Sequence, residues 1–156
     1  MNLFSLLEPG TIFSELEVSS KKELIYELVD SLEFKIGSEN LDEIKNGVWE
    51  REKIMSTGVG KGLAIPHCKS TVIVDSFGAF AVLKEPLEFN SVDSLPVRLV
   101  FLLISPNEKN SLHIKLLSRI SRLMNSGTFR EKVLNCENSK QILEAFKEEE
   151  EKYFVS

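Results

Sequence analysis

His67 and His113 are the only imidazoles among 156 residues. The first of them ends an unusual run, Ser56-Thr57-Gly58-Val59-Gly60-Lys61-Gly62-Leu63-Ala64-Ile65-Pro66-His67-Cys68-Lys69. Glycine at every second position from 58 to 62 removes Cβ atoms and lets other groups approach the backbone closely. Pro66 fixes its own φ and pushes Ile65 towards an extended conformation, which puts His67 on a stiffened strand end. Imidazole is a competent nucleophile near neutral pH and holds a phosphoryl group as a labile N–P bond. Phosphoryl transfer rests on positioning and on cations around the equatorial oxygens. Ser56, Thr57, Arg51 and Lys61 supply donors near His67 in sequence, and the glycine-rich backbone, Gly60 included, offers open N–H groups. His113 falls in the first turn of a predicted helix, where the dipole favours an anion. A second, neutral imidazole there stabilises a phosphorylated partner or sets the reactive tautomer.

Other chemistries fit less well. A Walker A loop needs glycine at position 55, which is Met55, and Ser or Thr at 62, which is Gly62. The dinucleotide fingerprint fails because its third glycine falls on Leu63. Cys68 adjoins His67, and neighbours on a strand face opposite ways, so the two do not form a catalytic pair. Cys136 reads as a half-buried packing residue. His67, Cys68, His113 and Cys136 match no zinc spacing, and no cofactor is expected. Blander roles stand beside each assignment. His113 lies on an apolar helical stripe and could simply pack, Arg51 could cap its helix, and Ser56, Thr57 and Lys61 could be turn residues. The run Glu148 to Glu151 reads as a solvated helix end.

The composition sets wider limits. Hydrophobic residues at 42% and charged residues at 28% are those of an ordinary globular chain of one domain. A net charge of −5 argues against a general nucleic-acid binder. The longest apolar run, Leu99 to Ile104, is strand-sized and far short of a membrane span. The N-terminus shows no secretory pattern and the two cysteines show no framework spacing, so the expected location is the cytoplasm.

These residues must be positioned by elements legible in the pattern. After extended pieces around Pro9-Gly10, Ser20 to Glu23 has capping-box spacing and opens a helix over 21–34. A second helix carries Leu41, Ile44, Val48 and Trp49 on one face, with Arg51 and Lys53 in its last turn. Strands are predicted at 61–67, at 77–83 closed by Pro86, at 87–89 as a separate edge piece, and at 97–104. Helices follow at 111–124, at 128–134 opened by a capping box from Thr128 to Glu131, and at 139–147. Helices, then strands, then helices give a layered α/β domain.

Arg51-Glu52-Lys53 and the run from Ser56 to His67 resemble the signature of enzyme IIA of the fructose–mannitol–nitrogen class in the bacterial phosphoenolpyruvate-dependent phosphotransferase system. The resemblance continues through Leu87 to Asp93, Val97 to Pro106 and Leu112-His113. It implies a central mixed sheet of about five strands flanked by helices. It also implies that His67 accepts phosphate from the phosphohistidine of HPr, with His113 and Arg51 as active-site partners. Two positions depart from the usual pattern, Lys61 in place of Asn and Cys68 in place of Gly. Within the class, nitrogen-regulatory members act on partner proteins according to phosphorylation state, and this is the favoured reading. Sugar-specific members pass phosphate to a IIB cysteine, which is the alternative. A binding module without turnover and a phosphohydrolase are the rivals outside the class.

Overall fold

The computed structural model describes residues 2–153. Among them six strands form one mixed sheet: β1 (Ile12–Leu16), β2 (Gly58–Gly60), β3 (Leu63–Ala64), β4 (His67–Ser70), β5 (Phe77–Leu87) and β6 (Val97–Pro106). The order across the sheet is β1-β5-β6-β3-β2, with β4 also on β6. β3 and β4 occupy one lane. Leu63 opposes Leu99 and His67 opposes Leu103, the same parallel offset on both sides of Pro66. The expected single strand over 61–67 is therefore shortened and interrupted: Lys61 and Gly62 belong to the turn before it, and proline has no N–H for the ladder. Its carbonyl still accepts from the Leu103 N–H at 3.0 Å, which keeps the lane straight. Counted by lane, the sheet is five wide.

Alternation on β6 sorts two cores. Leu99, Phe101 and Leu103 face α4 (Asn110–Met124), α5 (Gly127–Leu134) and α6 (Ser139–Tyr153). Val100, Leu102 and Ile104 face α1 (Lys21–Asp30), α2 (Glu33–Ile36) and α3 (Leu41–Ile54). The result is helices, sheet, helices, with the hydrophobic mass on both sides of β5 and β6. On the α4 side Phe80, Phe101, Phe129 and Phe146 meet edge to face, with centroids 5.0 to 6.0 Å apart.

Several boundaries differ from those expected. The helix over 21–34 breaks at Ser31, whose hydroxyl donates to the Leu28 carbonyl at 2.6 Å and competes with the helical ladder. The apolar stripe through Leu24, Ile25, Leu28, Val29 and Leu32 is nonetheless fully buried. At the start of α1, Ser20 caps the Glu23 N–H, while the Glu23 carboxylate turns to Ser19 instead of closing the box. α5 begins at Gly127 and is capped by Ser126, not Thr128. The segment 87–89 is not a separate edge strand, since β5 continues through an irregularity to Leu87 with Pro86 exposed. α6 runs on to Tyr153, so Ile142, Ala145, Phe146, Glu149 and Glu150 fall on one face. Glu149 and Glu150 are buried, and the solvated end expected there holds only for Glu148 and Glu151.

Candidate functional site

His67 opens β4 at the sheet edge, half-buried, with Cys68 turned into the opposite core. Burial pushes the Cys68 thiol up to about 12, which removes it as a nucleophile. The His67 Nδ1 lies 2.7 Å from the Ile65 carbonyl oxygen. A carbonyl only accepts, so the proton sits on Nδ1 and Nε2 keeps its lone pair. Burial lowers the His67 pKa and the Arg51 guanidinium acts the same way, against the Ile65 carbonyl and Glu52. The ring is thus neutral and nucleophilic at neutral pH.

His113 stands on the first turns of α4, its ring centroid 5.5 Å from that of His67 and tilted by 54°. It is buried, and burial, then His67, then Lys69 push its pKa down to about 4. Its Nδ1 is 2.8 Å from the Ser105 hydroxyl. Lys69, two residues beyond His67, donates to Asn110 at the start of α4 at 2.6 Å and adds a cation. Strand periodicity alone could have found Lys69, because residues i and i+2 share a face. Arg51 donates to the Met55 carbonyl at 2.8 Å, the helix-end contact of its blander reading, while still acting electrostatically on His67.

The loop leading to His67 is held from beneath. Glu52 is buried and accepts the Thr57 N–H at 2.9 Å and the Thr57 hydroxyl, and it pairs with Lys21 at 3.0 Å. The Thr57 carbonyl accepts from the Ile65 N–H at 3.0 Å. Ser56 donates to the Phe89 carbonyl and accepts from the Gly58 N–H. The polar groups of Thr57 and Ser56 are therefore committed to the scaffold.

Gly60 and Lys61 do not reach His67. They form the tip of the β2–β3 turn, with φ of +100° and +57°. The Lys61 N–H goes to the Asp93 carboxylate at 2.8 Å and its ammonium to Asn125, at the far end of α4. Twelve residues of helix separate Asn125 from His113, about 18 Å at 1.5 Å per residue. The glycines serve turn and packing. A Cβ on Gly58 would stand 2.2 Å from the Ser91 hydroxyl.

The layered α/β fold thus sets a tautomer-fixed histidine beside a second, buried imidazole. Residues 5–149 match the family described as "Phosphoenolpyruvate-dependent sugar phosphotransferase system, EIIA 2", and the chain belongs to it. It is 35% identical over 142 residues to a nitrogen regulatory protein of Bradyrhizobium diazoefficiens, covering 91% of this chain and 92% of that one. It is 32% identical over 145 residues to the fructose-specific EIIABC component of Bacillus subtilis, covering 92% of this chain but 23% of the longer protein. Nitrogen regulatory protein IIA-Ntr from Neisseria meningitidis has the same fold, with a TM-score of 0.87 at 28% identity over 92% of this chain and 98% of that one.

Proposed function

We propose that this chain is a cytoplasmic phosphohistidine carrier that accepts a phosphoryl group from the phosphohistidine of an HPr-like protein on His67 Nε2. The observation that carries this reading is the 2.7 Å contact between His67 Nδ1 and the Ile65 carbonyl, which leaves Nε2 as the available lone pair beside His113. That lone pair attacks phosphorus as the donor's P–N bond breaks, and the bonding electrons return to the donor imidazole. Arg51, Lys69 and His113 provide positive charge and N–H groups for the phosphoryl oxygens. Ile54 and Met55, which follow Arg51, and Ile114, which follows His113, are exposed apolar side chains suited to docking a carrier protein.

The favoured downstream role is nitrogen-type regulation, in which partner proteins respond to the phosphorylation state. The likeness to nitrogen regulatory proteins over nearly the whole of both chains supports it. The likeness to a fructose-specific component supports the second reading, transfer to a IIB cysteine for sugar uptake.

Incubation with phosphorylated HPr, followed by mass spectrometry, should show a gain of one phosphoryl group that His67→Ala abolishes. An adduct that persists in His67→Ala, or none in the wild type, rejects the carrier reading. Onward transfer to a IIB cysteine would decide for the sugar role.

A further inference from the structure

On the α4 side of β6 the inward positions are Leu99, Phe101 and Leu103, and the next residue in that alternation is Ser105. A hydroxyl thus replaces an aliphatic group in a fully buried position. Its Oγ meets His113 Nδ1 at 2.8 Å, and the Ser76 hydroxyl donates to Ser105 at 3.2 Å. Ser76 is buried as well, so this is a buried chain of two hydroxyls ending on an imidazole. When the Ser76 proton is given to the Ser105 oxygen, the Ser105 proton points to Nδ1. Nδ1 then accepts, and the single proton of neutral His113 resides on Nε2.

We propose that Ser105, backed by Ser76, is a positioning residue that holds neutral His113 in its Nε2–H tautomer, so that this N–H donates to the phosphoryl group on His67. The pair then becomes complementary. The Ile65 carbonyl gives His67 a free Nε2 lone pair, and the serine chain gives His113 an Nε2–H. The opposite tautomer of His113 would turn a lone pair towards a phosphoryl anion, which repels it. Before phosphorylation, burial holds the His113 pKa down at about 4, so at neutral pH the ring carries one proton and its tautomer decides which nitrogen bears it.

The phosphoryl half of the inference rests on the carrier reading, whereas the tautomer half stands alone. Nitrogen-15 NMR of the histidine rings in the unphosphorylated protein should show Nε2–H for His113 in the wild type and in Ser105→Thr, which keeps the hydroxyl. Ser105→Ala should shift His113 towards Nδ1–H, and Ser76→Ala should do so more weakly. Phospho-His67, once formed from phosphorylated HPr, should hydrolyse about tenfold faster in Ser105→Ala, the loss of one hydrogen bond to a charged group, with Ser105→Thr restoring its lifetime. An Nδ1–H wild type, an unchanged tautomer in Ser105→Ala, or an unchanged phosphate lifetime overturns the proposal. Failure of the wild type to take up phosphate rejects the carrier reading instead, and the NMR result still decides how His113 is held.

Discussion

The two imidazoles sit where a proton is unwelcome, and that preference links them to stability. The unfolded chain binds a proton on His113 near the ordinary value of 6.5, the folded chain only near 4. Between those values the unfolded state holds more protons, so stability falls as pH drops through the window and is level above it. The full effect is about 3 kcal/mol at most, from 1.36 kcal/mol per pKa unit. The lowered pKa of His67 adds in the same direction. Urea unfolding of wild type and His113→Gln across this range should show a steeper loss on acidification in the wild type, and parallel curves would refute the assignment. Glycine, proline and helix-end positions mark the surroundings of His67, His113 and Arg51 in the sequence, and the fold brings the two imidazoles together. Ser105 was not, because beside Pro106 and Asn107 a serine reads as the punctuation that ends a strand. Its partner lies eight residues on, across a turn that only the fold closes.

At the scale of elements, the site depends on how α3 meets the loop to β4. Glu52 lies in the last turns of α3 and is the buried hub between Lys21 of α1 and Thr57. From Thr57 the bonding passes to Ile65 and from Ile65 to the His67 ring. Glu52→Ala leaves two polar groups of Thr57 without their acceptor and the Lys21 ammonium with the Phe89 carbonyl alone, and should cost about 2–4 kcal/mol, since removing one partner of a buried pair is expensive. Glu52→Gln keeps one acceptor oxygen and should cost less. Denaturant midpoints order the three proteins, and a Glu52→Ala as stable as wild type would show that the clamp carries no weight. The sequence pattern found α3 and its apolar stripe, but a glutamate between Arg51 and Lys53 reads as a surface charge until α1 is packed over it. The same limit explains the misplaced end of β5. Pro86 signals a stop, yet an exposed position beside a ladder irregularity tolerates it.

At the scale of the whole molecule, the first described turn and α6 pack together on one side of the sheet. α6 packs on the core beside β1, and Leu3, Leu6 and Leu7 fill the same cluster. The tie between them is Glu150, almost fully buried, whose two carboxylate oxygens accept the N–H groups of Leu3 and Phe4 at 2.7 Å each. Those N–H groups open a short 3₁₀ turn, Phe4–Leu6, and a carboxylate satisfies donors that the turn leaves free. Hydrophobic periodicity foresaw the helix but not the use of its last turns, because four successive glutamates look solvated whatever lies opposite. Glu150→Ala strands two donors and should lower stability by about 2–3 kcal/mol, with Glu150→Gln intermediate. The loss should be local as well as global. Amide exchange at Leu3 and Phe4 should accelerate well beyond that of β6, while phosphoryl uptake on His67, on the other edge of the sheet, stays at the wild-type level. Unchanged exchange at those two amides would mean that apolar packing alone holds the N-terminal turn in place.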